Sequence, residues 1–356
     1  MKARRLIALS LVLLGVVVFA GLSLWRGTVP IVYHGKTVPA WVEQLSTGDA
    51  KAKAEAGAAI QAIGPASCPD LIRLLKQRDE LWRRALWSIR FKLPTKTRQR
   101  IFFRVHEPNA YFTREAAARS LGSLGPAAQA AIPALAAALR DPEGRVGMDA
   151  ADALGRIGGK AAVPALVRAL RDRNERLRWT AAYALGQIGV PALEAIPGLT
   201  RSLSDEPVRF FAAYALARMG TSAIPALVAT SRKGSDKARA ASIRAFALMA
   251  DPLTGPTIEV MVKTLSSALR DDAPEVRLEA ATALVPVGPE AAPAVTNLIA
   301  CLGDPSEALR EKAILALGTI GADAEPALPA LRRLENDSPP AIRIAVRKAL
   351  WGIQGK

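Results

Sequence analysis

The stretch LRWTAAYALGQIG, residues 177–189, decides the fold. Ala181, Ala182, Leu185 and Ile188 fall on one stripe at helical spacing, so the segment reads as an amphipathic helix with a narrow apolar face. Gly189 ends it, because a residue without a Cβ enters the left-handed C-terminal turn at least cost. A few residues on, Pro197 opens a second helix, where the first turn neither uses the missing N–H nor clashes with the ring.

Working outward, the pattern apolar-Arg-x-x-Ala-Ala-x-Ala-Leu-Gly-x-Ile-Gly runs through nearly the whole chain in one register. Its leucine slot holds Ile60, Ile89, Leu121, Leu154, Leu185, Leu216, Phe246, Leu284, Leu317 and Leu350. The glycine slot holds Gly64, Gly125, Gly158, Gly189, Gly220, Gly288 and Gly321, and Pro133, Pro164, Pro197, Pro225, Pro293 and Pro329 open second helices. Each unit is thus expected to be a helical hairpin of about 31 residues. Apolar residues make up 50% of the chain and aromatics only 5%, with alanine abundant, which suits thin, closely packed helices and an all-α fold.

Asp172, Asp271, Asp304 and Asp337 end second helices, six residues before Arg178, Arg277, Arg310 and Arg343 in the next helix. Each Asp can cap the following N-terminus, and each Arg can pair with carboxylates along the stack. Because they recur with the repeat, these residues are read as structural ladders and not as sites.

A hairpin of this length, rich in Ala and punctuated by Gly and Pro, resembles the HEAT repeat, in particular the short HEAT-like repeats shared with phycobilisome lyases. The resemblance covers residues 48–353 and implies a right-handed α-solenoid of about ten hairpins, used mostly for protein binding, with second helices lining the concave face. Residues 26–47 look like the lead-in that precedes such arrays, with Trp41, Val42 and Leu45 placed to cap the first repeat. The unit at 249–259, MADPLTGPTIE, loses the Gly-x-Ile-Gly signature and gains two prolines, which predicts a longer loop or a bend.

Residues 1–5 are basic, and residues 6–25 are uncharged over the length of a bilayer span. They read as a transmembrane signal anchor, or as a cleavable signal peptide. Either reading exports the solenoid, to the periplasmic side of an inner membrane or beyond. Net charge is +16, half of it from residues 81–104, LWRRALWSIRFKLPTKTRQRIFFR. From residue 111 onward there are 30 Lys or Arg against 25 Asp or Glu, a near balance that calls for no nucleic-acid partner.

Chemistry-bearing constellations are sparse. His34 and His106 are the only histidines, and no metal-ligand spacing, nucleophile elbow or phosphate-binding loop is present in the sequence. No cofactor is expected. Cys68 and Cys301 lie in apolar helical patterns and read as buried free thiols. The expected function is a non-enzymatic scaffold for a protein partner. Candidate contacts are Arg90, Lys92, Lys96, Arg98, Arg100 and Arg104, in the atypical second half of the second unit, and Arg168, Arg201 and Arg333, each four residues after a second-helix proline. Two alternatives stand: a polyanion or anionic-membrane binder using residues 81–104, and a bilin lyase-like enzyme by analogy of repeat type.

Overall fold

The computed structural model describes residues 30–78, 110–249, 255–337 and 339–355. A hairpin of β1 (Val32–Tyr33) and β2 (Lys36–Thr37) turns through His34 and Gly35, both at positive φ, and leads into α1 (Val38–Thr47). The Trp41 indole donates to the Tyr33 carbonyl at 3.2 Å, and Trp41 and Val42 are buried against the first repeat.

First helices of successive hairpins are α2 (Ala50–Ile63), α4 (Ala110–Ser123), α6 (Gly144–Ile157), α8 (Glu175–Ile188), α10 (Arg209–Arg218), α12 (Asp236–Ala247), α14 (Pro274–Leu284), α16 (Glu307–Ile320) and α18 (Pro340–Gln354). Their second helices are α3 (Cys68–Leu75), α5 (Ile132–Ala138), α7 (Val163–Ala169), α9 (Ile196–Ser202), α11 (Ile224–Lys233), α13 (Pro256–Ala268), α15 (Val295–Cys301) and α17 (Leu328–Asp337), while α18 stands without one among the described residues. The seven predicted slot glycines all have φ between 58° and 78°, a region that favours glycine, but Gly64, Gly158, Gly189, Gly288 and Gly321 combine it with ψ between −133° and −167°, so the chain leaves the helix in an extended conformation and not in the expected left-handed turn. Pro293 departs from its expected role: it lies in a 3₁₀ segment, and α15 starts two residues later. Of the irregular 249–259 stretch, residues 250–254 lie outside the described residues, and Pro256 already opens the 13-residue α13.

One continuous core runs along the stack. Leu121, Leu154, Leu185, Leu216, Leu284 and Leu317 have no exposed surface, whereas Leu350, in the last helix, is only partly buried. Neighbouring first helices approach closely where the repeat places its inner glycine. A Cβ on Gly155 would stand 2.8 Å from the Ala184 Cα, and one on Gly318 would stand 2.9 Å from the Ala349 Cα. Cys68 and Cys301 are free and buried.

The predicted ladder exists, with a geometry that corrects the expected capping. Asp172, Asp271 and Asp304 do not cap the next helix; they accept from the N–H two residues on, and Asn174 and Ser306 supply caps. Asp271 and Asp304 also receive the arginine of their own hairpin's first helix. Arg239 Nε and Nη2 reach Asp271 at 2.8 and 2.7 Å, and Arg277 reaches Asp304 at 2.8 Å. The remaining nitrogen crosses to the previous hairpin: Arg277 Nη1 donates to the Asp271 carbonyl at 2.8 Å, and Arg310 Nη1 to the Asp304 carbonyl at 2.8 Å. A guanidinium fork is suited to this double duty, and the hydrogen bonds it donates to Asp271 hold the Arg239 pKa above its ordinary value.

The most buried rung joins the first hairpin to α4. Arg114, 3% exposed, pairs with Asp141 at 2.8 and 3.0 Å, and its Nη1 donates at 3.1 Å to the carbonyl of Gln77. For Arg178, Arg277 and Arg310 that carbonyl belongs to the residue six before the arginine; here it comes from just past the end of α3. Arg78 also reaches Asp141 at 2.9 Å, and Gln61 of α2 donates to Ser123 of α4 at 2.6 Å. The first hairpin therefore packs directly against α4; residues 79–109, expected to hold the second hairpin, lie outside the described residues.

The expectation of a membrane-spanning helix and an exported solenoid is likewise corrected. No helix among the described residues is long and apolar enough to cross a membrane. Residues 6–25, to which the span was assigned, lie outside the described residues.

Among the described residues, two of the rungs from Arg114 to Arg310 are broken. Gly147 occupies the arginine slot of α6, and Arg209 of α10 has no aspartate, because Lys233 stands where the carboxylate belongs. Arg209 Nε and Nη2 are buried without a hydrogen bond, with Glu206 no nearer than 3.6 Å. Unpaired buried donors destabilise, and removing one partner of a buried pair costs more than the pair contributes. Accordingly, Arg114→Met should lower stability by about 3 kcal/mol, whereas Arg209→Met should leave it unchanged or raise it; urea-unfolding midpoints of the two variants check the contrast.

Candidate interaction surface

Every described second helix buries one leucine completely: Leu71, Leu135, Leu166, Leu199, Leu227, Leu265, Leu298 and Leu331. That anchor fixes which positions meet solvent. Two residues on come Arg168, Arg201 and Arg333, all exposed. Five residues on, at the helix C-terminus, come Lys76, Arg140, Arg171, Arg232 and Arg270, also exposed. A cation at this end also complements the helix dipole.

Arg168 and Arg201 sit on the neighbouring helices α7 and α9, and Arg171 joins them by lining the groove on either side of α7. The first groove, between α5 and α7, has a volume of about 460 Å³ and is walled by Arg140, Arg168, Arg171 and Asp172 over Ala136, Ala137, Ala165 and Ala169. The second, about 160 Å³, is lined by Arg171, Arg201, Ser202 and Asp205 beside Gly198. Arg201 Nε is held by its own helix, donating to the Pro197 carbonyl at 3.1 Å.

Arg333 is not brought to this cluster. It lies four hairpins away on α17, and Ala229, Ser267 and Ala300 fill its slot in between. Arg90, Lys92, Lys96, Arg98, Arg100 and Arg104 lie outside the described residues. Arg140 and Arg171 were not singled out from the sequence, although both follow a core leucine by the same five residues.

The floor acids are partly committed. Asp205 accepts Arg178 at 2.7 Å, while the Gly147 break leaves Asp172 without the rung arginine that its counterparts receive. Arginines therefore outnumber available carboxylates in both grooves.

A second charged cluster lies on the first helices, between α4 and α6. Arg119 bonds Glu115 at 2.6 Å and lies 3.5 Å from Asp149, and Arg156 pairs with Asp152 at 2.8 Å. Burial raises the Asp149 pKa to about 6; Arg119 opposes the rise, and Glu115 and Asp152 add to it. Among the described residues no group of His, Cys, Asp or Glu could hold a metal ion.

The Asp149 shift has a definite sign in stability. With a folded pKa near 6 and an ordinary value of 3.8, the native state holds its proton more tightly than the unfolded chain, so this group adds stability as pH falls from 6 towards 4. Asp149→Asn should raise Tm by roughly 2–4 °C above pH 7 and have little effect below pH 4, as measured by thermal melts across that range.

The HEAT-repeat family profile matches residues 104–182, 165–247 and 262–351. No curated protein matches the chain. Among solved structures it is similar to the Kap95:Nup1 complex, at 14% identity and a TM-score of 0.50 over 89% of this chain, spanning about half (51%) of that one. It also resembles a designed armadillo repeat protein (22% identity, TM-score 0.39, 54% of this chain and 99% of that one). A further match is the CpcE and CpcF complex of phycocyanin lyase from Nostoc sp. (25% identity, TM-score 0.38, 44% of this chain and 99% of that one). These likenesses concern the fold. With its matches covering well over half of the sequence, the chain belongs to the HEAT-repeat family.

Proposed function

We propose that the protein is a non-enzymatic scaffold that holds another protein along the face formed by its second helices. The observation that carries this reading is the recurrence of exposed basic residues, on every described second helix except α15, at two positions fixed by the buried leucine. A stack in which each unit contacts only its neighbours leaves such rows free for a partner, and the ladder residues are already consumed in holding the stack. Family membership supports the same role, since a repetitive surface is what this architecture offers.

The test is a photo-cross-linking residue placed in the full chain at Ala229 or Ala300, on second helices, and at Phe210 or Lys312, on first helices. Discrete protein adducts from the second-helix positions are expected. Adducts from the first-helix positions alone, or none from any, would overturn the proposal.

A further inference from the structure

We infer that the two adjoining grooves bounded by Arg140, Arg168, Arg171 and Arg201 bind an extended, polyproline-like peptide carrying a carboxylate side chain at every third residue. The inference rests on the scaffold reading and deepens it by naming the partner's chemistry.

Three features of the grooves select this ligand. First, the spacing fits. Packed helices lie about 8–10 Å apart, and a polyproline II helix returns to the same face every third residue, about 9 Å on. Carboxylates in that register meet one arginine cluster per hairpin, with Arg171 shared between consecutive grooves. A β-strand would turn alternate side chains away and lose this match.

Second, the floor is made of small residues. Ala136, Ala137, Ala165 and Ala169 in one groove and Gly198 in the other give a smooth shelf on which a peptide backbone can lie while the arginines reach up from the sides. A Cβ on Gly198 would stand 3.1 Å from Leu170 Cδ1, so that shelf has no room for a larger residue without the neighbour giving way.

Third, the charges favour separate carboxylates over a phosphate backbone. Guanidinium forks bind carboxylates through paired, charge-assisted hydrogen bonds. Asp172 and Asp205 line the same grooves and oppose a continuous row of phosphates. No aromatic side chain lines either groove, so unstacked bases have no platform there.

The experiment uses the full chain and fluorescence anisotropy with three labelled peptides: four repeats of Glu-Pro-Pro, the same composition with the glutamates clustered at one end, and four repeats of Lys-Pro-Pro. The spaced acidic peptide should bind about tenfold more tightly than the clustered one, and the basic peptide should not bind. Arg168→Gln combined with Arg171→Gln should weaken the spaced peptide by about tenfold or more, as expected for losing charge-assisted bonds. Arg333→Gln, remote from the grooves, should not, and circular dichroism checks that each variant stays helical.

Equal binding of the spaced and clustered peptides, or undiminished binding by the double variant, would overturn the inference. So would a single-stranded oligonucleotide that binds more tightly than the spaced peptide, which would assign the grooves to nucleic acid. If the peptides fail while second-helix cross-links to a protein persist, this inference falls and the scaffold reading stands.

Discussion

The fold depends on one repeated interaction, an arginine that pairs with the aspartate ending its own hairpin and donates to the carbonyl that ends the hairpin before. From α12 to α16 these contacts join end to end: Arg239 holds the Asp271 carboxylate, Arg277 takes the Asp271 carbonyl and the Asp304 carboxylate, and Arg310 takes the Asp304 carbonyl. A second helix ends with unsatisfied carbonyls, and here the neighbouring repeat satisfies them. Apolar burial supplies most of the driving force between repeats, yet it is non-directional. The rung is directional, and where it is complete it ties a hairpin to one particular neighbour.

That selection is most visible at the N-terminal end. The residue six before Arg114 lies outside the described residues; Arg114 takes the carbonyl of Gln77, and so ties the first hairpin to α4. Ile89 fits the leucine slot in the sequence, but it lies outside the described residues. Spacing describes one hairpin at a time, and adjacency is decided by contacts between residues 37 positions apart. The slot leucines, the positive-φ glycines and the Arg–Asp pairs were legible because each follows from a helix period or a turn requirement. The broken rungs at Gly147 and Arg209 are also visible in the sequence, but their consequence appears only when the absent partner is located in space.

The candidate surface was half legible for the same reason. Arg168 and Arg201 share a slot and are neighbours, whereas Arg333 shares the slot and is four hairpins distant. Arg140 and Arg171 looked like ordinary helix-end cations, and only the grooves on either side of α7 show them closing around the same space. Structure and surface are thus divided by position along each second helix: the aspartate that follows it is spent on the stack, and the arginines before that aspartate face outward. The Gly147 break falls where the two roles meet, because it leaves Asp172 in a groove that is otherwise basic.

The central claim is that the rung couples neighbouring repeats through a specific pair, beyond the packing around it. A double-mutant cycle on Arg277 and Asp304, combining Arg277→Met with Asp304→Leu and reading unfolding free energies, isolates that pair. The account predicts a coupling of about 1–3 kcal/mol, with the double variant less destabilised than the sum of the singles. A coupling indistinguishable from zero would show that apolar packing alone sets the order of the stack, and would contradict it.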